Sequence, residues 1–252
     1  MPPVRLIARL DIKGPNVIKG IHLEGLRIIG APAEIARRYY EQSIDEIIYM
    51  DTVASLYGRN NILGVVEEAA RSIFVPLTVG GGIRTVEDVV KALRSGADKV
   101  AINTAAIRRP EFIREAASVF GSQCIVLSVE AKQRGPGQWE ALTDNGREKT
   151  DVDVLEWVSR AEQLGAGEIL ITSVDMEGTR KGFDLTLIRA VHERVRIPVI
   201  ASGGAGSADH VVALARERIS DAIACASIFH YGTAPVAAVK TSLAGAGIEV
   251  RS

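Results

Sequence analysis

The alternation of short apolar runs with longer helix-like segments constrains the fold of this chain most. Eight apolar runs predict buried strands: 5–12, 46–51, 76–80, 99–103, 125–130, 168–174, 198–202 and 221–226. Five of the intervening segments have clear helical periodicity: 33–42, 85–95, 109–120, 153–165 and 207–218. Apolar strands that alternate with helices indicate a parallel sheet covered by helices. Eight such units in about 250 residues predict an α/β fold, a (β/α)₈ TIM barrel.

A doubly wound open sheet is the alternative fold. It would place a glycine-rich fingerprint after the first strand, and the segment DIKGPNVIKG (11–20) lacks that fingerprint. We therefore expect a single barrel domain over residues 1–252.

A weak internal repeat divides the predicted barrel into two similar halves. The matched positions keep a nearly constant spacing: Asp11 with Glu130, Glu46 with Glu168, Gly81-Gly82 with Gly203-Gly204, and Thr104 with Ser227. The longest connections, 13–31 and 132–150, also occupy equivalent places in the two halves. Since loops after barrel strands face the active site, both segments are candidate lids. In the second, Asn145-Gly146 predicts a hairpin turn.

Composition narrows the possible partners and the compartment. The formal net charge of -1 gives no general attraction to nucleic acid or to an anionic membrane. No apolar run approaches the ~20 residues of a membrane span, and we find no signal peptide, so we expect a cytoplasmic protein. Cys124 and Cys225 lie in apolar runs and the four histidines are scattered, so we expect no disulfide, no metal and no other cofactor.

Two glycine pairs carry the first chemical signal. Gly81-Gly82 and Gly203-Gly204 each follow a predicted strand and precede a helix. Glycine lets backbone N–H groups close on an anion, and a helix N-terminus adds a favourable dipole. Neighbouring strand ends contribute Asn103-Thr104 and Ala226-Ser227. The glycines could simply make tight turns, but two matched loops predict two phosphate cups and a ligand with a phosphate at each end.

Charged residues at both ends of the strands carry the second signal. Asp11 and Glu130 close the first and fifth strands, which lie opposite each other in an eight-stranded barrel. The two carboxylates could therefore divide the roles of general acid and base, or form structural ion pairs with nearby lysines. At the other barrel end, the strands begin with charged residues: Arg5, Glu46, Lys99 and Glu168. If buried, these residues must pair, as either a plug or a gate.

Motifs that are specific in combination are spread over the whole chain. They are LDIK (10–13) with Lys19, VGGGI (79–83), GADKVAINTAA (96–106), GAGEILITS (165–173), DMEGT (175–179) and IASGGAG (200–206). With them the chain resembles the HisF family, the cyclase subunits of imidazole glycerol phosphate synthase. The resemblance implies a bis-phosphorylated formimino-ribulosyl nucleotide as substrate and ammonia delivered through the barrel by a HisH-like glutaminase partner. The implied products are imidazole glycerol phosphate and an aminoimidazole carboxamide ribotide.

The resemblance also implies roles for individual residues. Asp11 and Glu130 match the positions of the two catalytic aspartates. One set matches phosphate and substrate sites: Lys19, Asp51, Gly81, Gly82, Asn103, Thr104, Thr172, Glu177, Gly178, Gly203, Gly204, Ala226 and Ser227. A second set matches the charged gate at the glutaminase-facing end: Arg5, Glu46, Lys99 and Glu168. Asp98 matches a position that contacts the partner.

Three residues depart from the family pattern. Glu130 is one methylene longer than the aspartate of the family, which changes its reach by about 1 Å. Glu177 also replaces an aspartate. Arg9 lies two residues before Asp11, on the same inward face, where the family has a small residue. We expect its guanidinium to pair with Asp11 or Glu130 and to hold that acid deprotonated.

Three functions are compatible with these residues. The segments 20–27 and 49–61 resemble HisF-like paralogues associated with acetamidino modification of surface-polysaccharide sugars. We therefore favour a paralogue that works with a glutaminase and supplies ammonia to a separate amidotransferase for such a sugar. The alternatives are the cyclase, a lyase, of histidine biosynthesis, and a non-catalytic ammonia conduit whose phosphate cups bind a regulatory ligand.

Overall fold

The predicted barrel is present in the computed structural model, which describes residues 3–54 and 62–251 apart from the side chain of Glu24. The barrel strands are β1 (Arg5–Lys13), β4 (Glu46–Asp51), β5 (Leu77–Gly80), β6 (Lys99–Ile102), β7 (Ile125–Gly135), β10 (Glu168–Ser173), β11 (Val199–Ser202) and β12 (Ala222–Cys225). Each strand pairs in parallel with the next, and β12 pairs with β1. All eight predicted strands are therefore confirmed, in a closed (β/α)₈ barrel.

Helices cover the outside of the barrel. They are α1 (Pro32–Glu41), α2 (Leu63–Ala70), α3 (Val86–Arg94), α4 (Thr104–Arg108), α5 (Glu111–Phe120), α6 (Val154–Leu164), α7 (Leu185–Arg194), α8 (Ala208–Glu217), α9 (Ser227–His230) and α10 (Val236–Gly245). Thr85 caps α3 in a capping box, Ser207 caps α8, and Gly165 ends α6 in the left-handed conformation. No helix in the described ranges has the length and apolar character needed to cross a membrane.

The two candidate lids contain β-strands, which the sequence did not indicate in the first segment. The additional strands are β2 (Asn16–Ile21), β3 (Glu24–Gly30), β8 (Gln138–Thr143) and β9 (Glu148–Asp153). They form two antiparallel extensions, one from the end of β1 and one from the end of β7. Asp144, Asn145 and Gly146 have positive φ between β8 and β9, which confirms the predicted hairpin turn.

Inward-facing side chains fill the barrel in layers. Alternation along the strands sends every second side chain inward, and the others pack beneath the helices. The apolar layer consists of Ile7, Ile48, Met50, Ala101, Val126, Leu170, Ile200, Ala222 and Ala224. Polar inward residues lie below this layer, where the strands begin, and above it at the mouth, where they end.

The two ends of the described chain meet where the strands begin. Val4 and Val250 form a parallel bridge, and the Val4 N–H donates to the Glu249 carbonyl at 3.0 Å. Both chain ends therefore lie on the barrel face opposite the mouth.

Candidate active site

Four charged residues close the barrel end where the strands begin. Arg5 Nη1 lies 2.8 Å from Glu46 Oε1, and Arg5 also pairs with Glu168. Lys99 Nζ lies 2.9 Å from Glu168 Oε2 and 3.5 Å from Glu46 Oε2. Each acid therefore contacts two cations. These contacts offset the free-energy cost of removing the charges from water. We call these four residues the ring; the predicted pairing among them is present.

At the mouth, Asp11 lies between two cations. Arg9 Nε donates to Asp11 Oδ1 at 2.9 Å, and Lys19 Nζ lies 3.6 Å from Asp11 Oδ2. Burial alone would raise the pKa of the Asp11 carboxyl, but the charges of Arg9 and Lys19 outweigh burial and lower that pKa below its usual value. Asp11 is therefore held as a carboxylate, with the expected Arg9 partner beside it.

Glu130 projects from the opposite wall of the barrel into a different environment. Its strand, β7, is four strands away from β1 in either direction. Glu130 Oε2 accepts a hydrogen bond from Asn103 Nδ2 at 2.9 Å. Burial raises the pKa of Glu130 to about 7, although the Arg9 charge, the Gly146 N–H and the Asn103 amide oppose the shift. Near neutral pH, Glu130 thus retains a proton in a large fraction of molecules, whereas Asp11 does not.

Arg9 extends beneath the mouth toward the far side of the barrel. Its Nη1 donates to Thr172 Oγ1 at 2.8 Å and reaches Ser202 Oγ at 3.4 Å. Its Nη2 is buried and has no hydrogen-bond partner among the described residues. Thr172, which we expected to contact substrate, is fully buried, and its hydroxyl is engaged by Arg9.

The first glycine pair lines an open cavity of about 310 Å³ beside Glu130. Gly81 and Gly82 have φ of 91° and 74°, a region that favours glycine. A Cβ at Gly81 would lie 2.2 Å from the Asp51 carbonyl oxygen. The cavity brings together the predicted residues of this cup and others: Asp51, Gly81, Gly82, Arg84, Asn103, Thr104, Arg108, Ser128, Glu130 and Asn145.

Several residues of this cavity were missed by sequence reasoning, among them Arg84, Arg108, Ser128 and Asn145. Arg84 donates to the Ala54 carbonyl at 3.1 Å, and Arg108 lies 3.1 Å from Asp144 Oδ2. Ser128 lies two residues before Glu130, so strand periodicity could have identified it as an inward residue. Asn145 lies in the predicted Asn-Gly turn of the second candidate lid, and the pairing of β8 with β9 brings that turn to the cavity.

The second glycine pair does not line an open cavity. The space at this cup measures about 10 Å³, enough for about one water molecule. It is lined by the predicted residues of the cup together with Ser202: Glu177, Gly178, Gly203, Gly204, Ala226 and Ser227. Lys19 and Glu177 pair with each other and are 2% and 5% exposed. Lys19 also lines a neighbouring cavity of about 650 Å³ together with Gly178 and Arg180. The second phosphate cup stays a prediction.

Gly204→Ala is expected to lower the melting temperature and to raise KM for a bis-phosphorylated substrate. Gly204 has a φ of 102°, and a Cβ there would lie 1.9 Å from the Gly182 carbonyl oxygen. Such strain is worth about 1–3 kcal/mol. Thermal unfolding and steady-state kinetics provide the measurements. Gly64→Ala is the matched control, because it lies in α2 with no atom within 4 Å of the new Cβ. Equal behaviour of the two variants would contradict the prediction.

Three further sequence predictions concern a partner contact, a distinctive segment and a metal site. Asp98 is exposed at the ring end, and its Oδ2 accepts from the Leu77 N–H at 2.8 Å. The distinctive segment 49–61 lies partly outside the described residues, which omit 55–61. Within 3–54 and 62–251, no three His, Cys, Asp or Glu side chains are grouped so that they could hold a metal ion.

Comparison with known proteins places the barrel in a family. The family model described as histidine biosynthesis protein matches residues 5–235. A Legionella pneumophila protein named imidazole glycerol phosphate synthase subunit HisF is 63% identical over 206 residues, which cover 82% of this chain and 97% of that protein. The chain belongs to the HisF family. A second HisF protein of the same name, from Bacillus cereus (strain G9842), is 48% identical over 247 residues, or 98% of both chains.

Proposed function

We propose that this chain is the cyclase subunit of imidazole glycerol phosphate synthase, a lyase of histidine biosynthesis, and that residues 1–252 form one domain. The observation that carries the proposal is the pair of buried carboxyl groups on opposite walls of the mouth, whose pKa values are shifted in opposite directions. Both relatives are named as subunits of this synthase. This function therefore takes the place of the sugar-amidination paralogue that the sequence alone favoured.

The electrostatic environments of the two carboxyl groups support a division of roles. Ammonia must add to the ribulosyl carbonyl carbon, and the carbonyl oxygen must leave as water. The ammonia-derived nitrogen must then bond to the formimino carbon, from which the aminoimidazole leaves with a proton on its nitrogen. Glu130 can donate protons to these leaving groups, because its pKa of about 7 keeps a proton on a large fraction of molecules near neutral pH. Asp11 can accept protons from the ammonia-derived nitrogen and from the carbon that becomes part of the aromatic ring, because Arg9 and Lys19 keep it ionised.

The two glycine cups support the proposal of an elongated substrate with a phosphate at each end. The first cup is open, and Arg84 and Arg108 add positive charge to the backbone N–H groups beside one phosphate. The second phosphate requires the second cup to widen. Lys19 lines a neighbouring cavity with Gly178 and Arg180, where it can bind the substrate anion.

We further propose that a HisH-like glutaminase docks at the ring end and supplies ammonia there. Lys99 is 20% exposed in its side chain, and Asp98 is exposed beside it. Charged residues at a barrel entrance provide the directional contacts that specify a partner.

Formation of imidazole glycerol phosphate from the formimino-ribulosyl nucleotide tests the proposed function. The purified chain, supplied with an ammonium salt, should turn over at a kcat of roughly 1–10³ s⁻¹. A folded protein that forms no product, as wild type or as Glu130→Asp, would contradict the proposal. That outcome would favour sugar amidination or a non-catalytic ammonia conduit as the function of the chain.

The ammonium-supported kcat is expected to fall as the pH rises through about 7. Glu130 acts as an acid only while protonated, and its pKa is about 7, so alkaline pH removes the proton it must donate. The profile should be measured at constant concentration of free ammonia, because ammonia itself titrates. In Glu130→Gln, the residual rate should lose this dependence. A wild-type profile that is flat across neutrality would count against Glu130 as the acid.

A further inference from the structure

We infer that Arg9 closes the barrel interior between the ring and the mouth, so that ammonia entering at the ring reaches Asp11 and Glu130 only after the guanidinium moves. The inference rests on the proposed function, because it concerns the route by which ammonia reaches that reaction.

The hydrogen bonds of Arg9 show that its side chain crosses the interior. Arg9 belongs to β1, whereas Ser202 belongs to β11 and Thr172 to β10, the second and third strands around the barrel from β1. A side chain that reaches the third strand spans the lumen instead of following the wall. Arg9 is 2% exposed, so protein atoms surround it on every side.

The position of Arg9 along β1 places the guanidinium between the two functional ends. Arg5, Arg9 and Asp11 all point inward, since they are separated by even numbers of residues. At about 3.3 Å per residue, the Arg9 backbone lies roughly 13 Å along the strand from Arg5 and roughly 7 Å from Asp11. Ammonia moving along the axis from the ring must therefore pass the level of Arg9.

Neutralisation of Asp11 does not by itself account for Arg9. Lys19 already lies 3.6 Å from the other Asp11 oxygen. A guanidinium kept only as a counter-ion would be expected to satisfy its buried N–H groups, yet Nη2 has no acceptor among the described residues. An oxygen of a bound substrate could provide that acceptor and draw the guanidinium away from Thr172 and Ser202, which would open the passage.

Comparison of kcat with two nitrogen sources tests whether Arg9 closes the barrel interior. The complex with a HisH-like glutaminase is assayed with glutamine, which supplies ammonia at the ring, and with an ammonium salt, which also enters from the mouth. In Arg9→Ala, the ratio of glutamine-supported to ammonium-supported kcat should rise about tenfold, because a charge-assisted hydrogen bond that restrains the guanidinium is worth roughly that factor. An unchanged or lower ratio would overturn the inference.

The variant Arg9→Lys tests whether Arg9 acts through its span across the lumen or through its positive charge alone. Lysine keeps a cation beside Asp11 but has one nitrogen, which cannot contact Asp11 and Thr172 together across the barrel. This variant should also show the raised ratio, with its fold verified by thermal unfolding. A ratio equal to that of wild type would mean that charge, and not closure, is the role of Arg9.

Crystal structures of wild type and Arg9→Ala give a readout that does not depend on activity. We expect the wild-type guanidinium to span from β1 to Thr172, and a file of ordered waters in its place in the variant. A wild-type crystal with Arg9 turned away and an open passage would overturn the inference even if the enzyme is active. Conversely, absence of ammonium-supported turnover would contradict only the proposed function.

Discussion

Glu130→Gln is expected to lower the ammonium-supported kcat by about 10²–10⁴-fold, the usual contribution of a positioned general acid. Glutamine retains the size of the side chain and can still accept the hydrogen bond from Asn103 Nδ2, but it has no proton to give to a leaving group. Steady-state kinetics on the purified chain with the formimino-ribulosyl nucleotide provide the measurement. KM should change much less than kcat, because the cup residues that would bind phosphate are untouched.

Glu130→Asp is the matched control for this substitution. It keeps the acid and shortens its reach by about 1 Å, a displacement that can reduce the rate by up to about 100-fold. We therefore expect Glu130→Asp to be clearly more active than Glu130→Gln. If Glu130→Gln turns over at nearly the wild-type rate, Glu130 is not the proton donor and the proposed acid–base pair is wrong.

The second large effect is expected on stability. Asp11→Asn should lower the free energy of unfolding by about 3–5 kcal/mol, because it leaves Arg9 and Lys19 buried without their shared carboxylate. Urea denaturation at neutral pH measures the change. The pKa of Asp11 is lowered from its ordinary value of 3.8, so its stabilisation is fully present above that pH and is lost as the pH falls through the folded-state pKa. The difference between the proteins should therefore diminish in acid.

A double substitution distinguishes loss of the ion pair from general damage to the mouth. Asp11→Asn leaves Arg9 without a carboxylate, whereas Lys19 still pairs with Glu177. Arg9→Met removes the unpaired cation, so Asp11→Asn combined with Arg9→Met should be more stable than Asp11→Asn alone. Wild-type stability of the single variant Asp11→Asn would show that solvent or another group compensates the two cations. The proposed electrostatic control of Asp11 would then fail.

Much of the barrel could be predicted because it depends on local patterns. Eight apolar runs defined the strands, and alternation along β1 placed Arg5, Arg9 and Asp11 on one inward face. Two-residue spacing on the inward face also predicts a contact of Arg9 with Asp11 or Glu130, and the structure has the contact with Asp11. The ring was predictable for the same reason, since inward charges at one level of a barrel have only each other as partners.

Other features depend on contacts between distant segments. The pair between Lys19 on β2 and Glu177 after β10 joins two distant segments, and no local pattern links these residues. The polar strand β9 is half-buried or exposed and lacks an apolar run, so only its pairing with β8 defines it. The pKa of Glu130 likewise follows from burial by the whole mouth, which a sequence does not specify residue by residue.

The bridge between Val4 and Val250 constrains how this barrel can be fused to other polypeptides. Any chain that precedes residue 4 or follows residue 250 emerges on the ring face, so an affinity tag at either end would compete with a docked glutaminase. The same proximity makes the barrel a candidate for circular permutation, in which a short linker joins the two ends. New ends opened in a loop that follows a barrel strand would lie on the mouth face and leave the ring face unobstructed.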